Sequence, residues 1–449
     1  MPLFARWRSA STPDATAEAP NRALPDPEEQ ATFESLGISA DLVNALDEAG
    51  VTAPFPIQVM CIPDALAGRD VCGKAQTGSG KTLAFGLPLV ERTQTSRKRR
   101  PRSLVLVPTR ELANQICETL APLAAARGLW IMAIYGGVSM LRQIQGLQAG
   151  VDIVVATPGR LNDLLQQDEI SLADVSMVVL DEADQMADMG FMPQVERILV
   201  RIDRSAQTLL FSATLDGAIG ELVRKYQHDP VRHEVVSEST TAETLEQRFI
   251  GVLPDEKLAI AARIARSGMR TLMFVRTTHG ADRLVKQLAR FDLAAMSIHG
   301  RMSQNKRERA LEAFRIGEAP ILVATNVAAR GLHIDGIDLV IHFDVPEDGK
   351  TYLHRSGRTA RAGEDGMVVT LVVPDEERDV LDVERVAGLD YPVTHMRADD
   401  PRLDALRQWT PPRGLPDVDR GTRTQRGDGR GDGTTRPAPG RSRSRRPRR

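Results

Sequence analysis

The segment Ala75-Gln76-Thr77-Gly78-Ser79-Gly80-Lys81-Thr82 constrains this chain more than any other. A glycine-rich loop closed by Lys and Thr is the pattern that cradles nucleotide phosphates, between a strand and the start of a helix. Gln76, Thr77, Gly78, Ser79 and Gly80 would supply the cradle, because glycines let backbone N–H groups come close to phosphate oxygens. Lys81 would contact the β- and γ-phosphates and Thr82 would ligate Mg²⁺. The bland alternative is a glycine turn before a helix. About a hundred residues later the apolar run Met177-Val178-Val179-Leu180 leads into Asp181-Glu182-Ala183-Asp184. This order makes the chemistry of an NTPase. Asp181 would hold the Mg²⁺ through water, Glu182 would orient or deprotonate the attacking water, and Asp184 completes the acidic set at the nucleotide.

Apolar strand candidates alternate with helical stretches. They are Leu104–Val107, Ile131–Tyr135, Ile153–Ala156, Met177–Leu180 and Leu209–Phe211, with amphipathic segments such as Glu111–Ala126 between them. The pattern predicts an α/β fold with a parallel sheet covered on both faces. A polar stretch at 237–245 reads as a linker. A second series follows, at Thr271–Val275, Ala295–Ile298, Ile321–Ala324, Leu339–His342 and Met367–Val373. The expected architecture is therefore two tandem α/β domains, 31–236 and 246–398, of which only the first has a phosphate loop. Two such domains suggest a cleft that closes on nucleotide. Residues 1–30, rich in Ala, Pro, Glu and Ser, and 399–449, rich in Arg, Gly, Pro and Thr, are expected to be disordered.

Composition removes other classes. At 449 residues the chain is too long for one core. No run approaches the roughly 18 apolar residues that span a membrane, and no secretory pattern opens the chain. Cys61, Cys72 and Cys117 have no metal-ligand spacing and fit a reducing compartment, so a cytoplasmic location is expected; action as a monomer is a separate expectation. The net charge of −2 conceals an asymmetry. Residues 411–449 hold twelve Arg against four Asp, about +8, which leaves about −10 for the remainder. A basic tail on an acidic body can hold a polyanion. The run Arg97-Lys98-Arg99-Arg100 reads as a solvated loop rather than a localisation signal.

Phosphoryl transfer spreads charge over the γ-oxygens and needs cations. His354-Arg355-Ser356-Gly357-Arg358-Thr359-Ala360-Arg361 offers Arg358 and Arg361 three apart, a spacing that can place both on one helix face.

Together these motifs resemble those of the DEAD-box RNA helicases, from about Phe33 to Gly366, and the resemblance implies two RecA-like domains. Thr52-Ala53-Pro54-Phe55-Pro56-Ile57-Gln58 resembles the family's Q motif, which implies that Gln58 hydrogen-bonds adenine and Phe33 stacks on it. Pro108-Thr109-Arg110-Glu111-Leu112, Gly136-Gly137 and Thr157-Pro158-Gly159-Arg160 resemble the RNA-contacting motifs of the first domain. Ser212-Ala213-Thr214 resembles the motif that couples hydrolysis to strand separation. In the second domain Phe274-Val275 and Gln304-Asn305-Lys306-Arg307 resemble the rest of the RNA grip, with Gln304 and Arg307 as contacts. The segment 324–333 resembles the motif that touches both RNA and nucleotide. Thr325 would meet an RNA phosphate, Gly331 and His333 the nucleotide, and Arg330 an acidic group across the cleft. His354 would reach the acidic segment on closure.

The chain departs from the family at His333, where an Asp usually bonds the ribose, at Asn326, and at Arg301, where an acidic residue usually follows His299-Gly300. The expectation is an enzyme that hydrolyses ATP with Mg²⁺ and locally unwinds or remodels RNA through backbone contacts, with ribosomal or decay-complex RNA as candidate targets. An ATP-gated RNA clamp with slow turnover, which His333 favours, and a DNA helicase are the rivals. The Arg-Gly pairs of the tail, such as Arg426-Gly427, resemble RNA-holding segments.

Overall fold

The computed structural model describes residues 31–75, 78–215, 217–235, 245–267, 269–329, 336–360, 365–387 and 392–409. The first sheet contains β1 (Val71–Lys74), β2 (Ser103–Leu106), β3 (Ile131–Ile134), β4 (Ile153–Ala156), β5 (Met177–Leu180), β6 (Gln207–Ser212) and β7 (Val231–Glu234). Its strand order is β3-β4-β2-β5-β6-β1-β7. The second contains β8 (Leu245–Gly251), β9 (Thr271–Val275), β10 (Ala295–Ile298), β11 (Ile321–Thr325), β12 (Leu339–His342), β13 (Gly366–Val372) and β14 (Thr394–His395), in the order β10-β11-β9-β12-β13-β8-β14. Every strand pairs in parallel, and the second order repeats the first, strand for strand.

The cause is legible in the strands. Short runs of Val, Ile and Leu are buried on both faces, as parallel strands under helices require. Successive residues go to opposite faces. Val105 and Val179 enter one apolar cluster while Leu104, Leu106 and Val178 enter the other. In the second sheet Met273 and Val323 face one way, and Leu272, Phe274 and Leu322 the other. Parallel strands all end on the same side, so each sheet has one carboxyl edge; the phosphate loop follows β1 there and the acidic segment follows β5, while Gln58 is carried on the helix Pro56–Leu66 ahead of β1.

Two details differ from the expectation. Leu245, read as the end of the linker, opens β8; the rest of that linker lies outside the described residues. Packing also continues past 398. Leu403 and Leu406 are buried, and Trp409 lies under the guanidinium groups of Arg248 and Arg402. The segments expected to be disordered at 1–30 and beyond Trp409 lie outside the described residues. The basic run at 97–100 lies at the surface, with Arg97 and Lys98 exposed, Arg99 paired with Glu169 and Arg100 with Asp174 at 2.9 Å.

Candidate active site

The phosphate loop joins β1 to the helix Lys81–Arg92. Gly78 and Gly80 have φ of +92° and +87°, which glycine adopts without steric cost. At Gly80 a Cβ would also stand 2.6 Å from Gln58 Nε2 and 2.9 Å from Phe55 Cδ2. Gln76 and Thr77 lie outside the described residues. Lys81 is buried, and its Nζ donates to the Ala75 carbonyl at 3.0 Å and to Glu182 Oε1 at 3.1 Å.

Strand order explains that last contact. In β5-β6-β1, the ends of β5 and β1 flank β6, so the acidic segment, the segment Ser212-Ala213-Thr214 and the phosphate loop become neighbours. Ser212 Oγ accepts the N–H of Asp184 and the N–H of Thr214, both at 3.3 Å, and so ties the acidic segment to the coupling segment. Asp181, Glu182 and Asp184 are all buried. Asp181 accepts the Glu182 N–H at 2.9 Å, and Gln185 donates to Glu182 Oε2. Glu182 has φ +52°, a left-handed conformation that costs a side-chain-bearing residue about 1–2 kcal/mol. It turns the carboxylate back toward Lys81.

Burial drives the Asp181 carboxyl well above its usual range, and the nearby Lys81 only partly opposes this. For Lys81, burial opposes the charge. Glu182 and then Asp181 outweigh it and hold the ammonium above its ordinary value. Three buried carboxylates beside one ammonium lack positive charge, which a divalent cation would supply. Among the described residues no group of three or more His, Cys, Asp or Glu side chains could hold a metal alone. Mg²⁺ commonly takes one or two protein ligands and completes its shell with water and substrate phosphates, so Thr82 and Asp181 fit it in that role.

At the base side, Gln58 is fully buried. Its Oε1 accepts the Phe55 N–H at 2.8 Å and its Nε2 donates to the Gly80 carbonyl at 2.9 Å. It braces the phosphate loop, and the second Nε2 proton is the one a base edge would use. Phe33 is 3% exposed within the core, so it offers little ring surface for stacking. Phe55, 52% exposed beside Gly80, is an aromatic at this mouth that sequence reasoning had quoted only as part of a motif.

The other half of the first sheet, β3-β4-β2, carries the expected RNA contacts. Thr109 caps the helix Arg110–Ala126 by accepting the Leu112 N–H at 3.3 Å, with Pro108 just before it. The Arg110 guanidinium lies over Gly137, where a Cβ would meet its Nη1 at 2.4 Å; Gly136 leaves open space. Thr157 precedes the helix Pro158–Gln166, which includes Gly159 and Arg160. Arg160 donates to Gln143 Oε1 at 3.0 Å and to the Val138 carbonyl at 3.3 Å, which fixes its position.

In the second domain Thr325 ends β11 and Gln304 opens the helix Gln304–Arg315. Gln304 Nε2 donates to Glu308 Oε1 at 3.0 Å. Arg307 is buried, and its Nε donates to Glu111 Oε1 of the first domain at 2.6 Å. A second cross-domain pair joins Lys350 to Asp188 at 2.9 Å. Sequence reasoning named neither pair, because partners 196 and 162 residues apart leave no local pattern.

His354 and Arg358 line a small recess with Phe274, Asn326 and Arg355. Arg355 Nε donates to Asn326 Oδ1 at 2.6 Å, and its guanidinium sits 5.1 Å from the Phe274 ring centre. The departure at Asn326 therefore keeps a neutral acceptor for Arg355. Arg330, Gly331, His333 and Arg361 lie outside the described residues.

Comparison with known proteins agrees with this geometry. The DEAD/DEAH box helicase family matches residues 55–222, and the helicase conserved C-terminal domain matches residues 256–363. The DEAD-box ATP-dependent RNA helicase CshA of Bacillus cereus is 39% identical over 375 residues, covering 83% of this chain and 70% of the relative. CshA of Streptococcus pneumoniae is 42% identical over 346 residues, covering 77% and 66%. Saccharomyces cerevisiae Dbp5 bound to RNA and ADP BeF3 superposes with a TM-score of 0.74 at 26% identity, over 84% of this chain and 98% of that one. Among the described residues no helix is long and apolar enough to cross a membrane. On identity sustained across both domains, the chain belongs to the DEAD-box ATP-dependent RNA helicases.

Proposed function

We propose that the chain binds ATP with Mg²⁺ at the β1 and β5 ends, binds one RNA strand along the outer carboxyl edges of both sheets, and couples the two by domain closure. The observation that carries this reading is the Lys81–Glu182 ion pair, set at the junction of phosphate loop, acidic segment and coupling segment. Entry of a triphosphate would draw Lys81 to the phosphates. Glu182 would then be released to orient water at the γ-phosphorus, still held by Gln185. Arg358 and Arg361 would meet the charge that develops on the γ-oxygens. Gln58 would hold the adenine edge, while Phe33, buried in the core, offers it little ring surface. Thr82 and Asp181 would hold the Mg²⁺, which screens the phosphates.

On the RNA side Arg110, Arg160, Gln304 and Thr325 would meet the backbone, with Gly136, Gly137 and Gly159 exposing N–H groups to it. Backbone contacts position a strand without reading its sequence. Closure would bend the strand and separate a few base pairs. Each step costs on the order of 1.4 kcal/mol, within reach of nucleotide-driven closure. Hydrolysis would reopen the cleft. The domain limits 31–236 and 246–398, action as a monomer, and a cytoplasmic location are part of the same proposal.

The deciding measurement is the ATPase rate with no nucleic acid, with RNA and with DNA. Stimulation by RNA alone is expected. Equal stimulation by DNA would favour the DNA reading, and no stimulation would leave the slow clamp. The buried, braced Glu182 favours turnover over the clamp.

A further inference from the structure

The amide of Gln185 has one engaged end and one unengaged end. Gln185 lies on the helix Ala183–Asp188, three residues after Glu182, a spacing that makes the two side chains neighbours. Its Nε2 donates to Glu182 Oε2. A carboxylate only accepts, so the nitrogen is the end that faces it and the oxygen is the end left over. That oxygen, Gln185 Oε1, is buried and has no hydrogen-bond partner among the described residues, on a residue 5% exposed. Buried acceptors are nearly always paired, so an orphan calls for a reason.

Its place supplies one. Gln207, at the start of β6, also leaves its Oε1 unpaired among the described residues, but its nitrogen holds the Ala65 and Arg69 carbonyls, away from any reacting group. Gln185 instead shares its amide with the residue assigned to activate water. The orphan oxygen needs a donor, and the acidic segment around it accepts: Asp181 takes the Glu182 N–H and Asp184 the Gln185 N–H. The two oxygens of Glu182 are also divided. Oε2 faces Gln185, and Oε1 faces Lys81 at 3.1 Å. Movement of Lys81 to the phosphates turns Oε1 over to the attacking water, beside the orphan acceptor.

We propose that Gln185 is a second acceptor for the attacking water. Its Nε2 fixes the Glu182 carboxylate, and its Oε1 takes one water proton in a hydrogen bond while Glu182 Oε1 takes the other. With both protons held, a lone pair of the water oxygen is aimed at the γ-phosphorus. As the oxygen–phosphorus bond forms, the β–γ bridging oxygen leaves with its electron pair. One proton passes to Glu182, and the other stays on the new phosphate oxygen. The inference rests on the reading of the chain as an RNA-stimulated ATPase and adds a residue to that site.

The test is the ATPase rate of the full chain at saturating RNA and ATP. Gln185→Met keeps the length of the side chain and loses both ends of the amide. Its kcat should fall about ten- to hundredfold, the cost of a misplaced reactant. The KM for ATP and the RNA concentration for half-maximal rate should stay within about twofold, because the contact is made in the transition state. Gln185→Lys keeps a donor for Glu182 but offers no acceptor, and should be slowed as much. Both variants should bind a labelled RNA with a non-hydrolysable ATP analogue as wild type does. Added to Glu182→Gln, Gln185→Met should slow hydrolysis no further, since the two residues act on one water. A Gln185→Lys variant as fast as wild type would reduce Gln185 to a brace for Glu182 and overturn the water contact. Wild-type kcat in Gln185→Met, or lost RNA binding in either variant, overturns it as well, the latter by making Gln185 a packing residue. If the wild type shows no RNA-stimulated ATPase, the helicase reading itself fails.

Discussion

Arg307 and Glu111 form an ion pair of 2.6 Å between the two domains, with side chains only 4% and 10% exposed. Each belongs to a segment that resembles an RNA-contacting motif. Besides Glu111, the Arg307 guanidinium donates to the His299 and Ala328 carbonyls at 3.5 and 3.4 Å. Its work in this structure is to hold the halves of the grip together.

This pair should control closure. Removing one partner of a buried pair strands the other and can cost about 3–5 kcal/mol. Here the stranded group can escape into water by domain separation, so the cost should appear as lost closure rather than unfolding. Glu111→Ala and Arg307→Ala should each raise the RNA concentration for half-maximal ATPase by tenfold or more, with little change in Tm. The double variant should be no worse than either alone. Strictly additive losses would mean that the two residues act separately.

Glu182→Gln should abolish turnover and keep ATP and RNA bound. The amide can still meet Lys81 and Gln185 but cannot take a proton from water. ATPase should fall at least a hundredfold, within the usual contribution of general-base catalysis. RNA should stay bound longer with ATP than in wild type. Near-normal hydrolysis would remove Glu182 from the mechanism.

His342 predicts a pH dependence of stability. It is fully buried on β12, donates or accepts at Thr370 Oγ1 (3.0 Å), and lies edge-on to Tyr352 at 5.1 Å. Burial first, and then the Arg355 charge, push its pKa well below the ordinary value. The folded chain keeps it neutral, while the unfolded chain protonates it near pH 6.5. Stability is therefore fully present above about pH 6.5 and declines as pH falls, by at most about 1.4 kcal/mol per pH unit for this one proton. Denaturant unfolding at pH 7, 6 and 5 should show the loss, and His342→Gln should have a shallower slope. Parallel slopes for the two proteins would exclude His342 as the source.

Removal of residues 411–449, the basic tail, should weaken RNA binding and reduce its salt dependence, since cations gain affinity by releasing counterions. RNA-stimulated ATPase at saturating RNA should survive. Unchanged affinity would leave the tail a solubilising role.

The sequence was most legible where side chains are uniform. Ile153–Ala156, Met177–Leu180 and Thr271–Val275 form strands at the limits their apolar runs indicate. The missed strands are those with mixed chemistry. In β8, Gln247 and Arg248 are buried, and their polarity hides the strand. Tyr352 donates to Gln247 Oε1 at 2.5 Å and Arg248 donates to the Trp409 carbonyl at 2.8 Å, contacts that exist only after folding. β7 alternates half-buried and exposed residues at a sheet edge, and β1 contains a glycine. At the site, local motifs named the residues. The bond from Gln58 to the Gly80 carbonyl and the bonds of Arg307 depend on a tertiary neighbourhood that spacing does not encode.

Arg307–Glu111 and Lys350–Asp188 are both ionic bridges between the domains. Dissolved ions that compete for the RNA backbone also weaken the more exposed Lys350–Asp188 bridge, whereas the buried Arg307–Glu111 pair is screened much less. Ionic strength therefore acts twice, on the ligand and on the hinge. A salt exponent measured for this protein will exceed about 0.7 per phosphate it touches, and the excess will report how much of the grip is stored in closure.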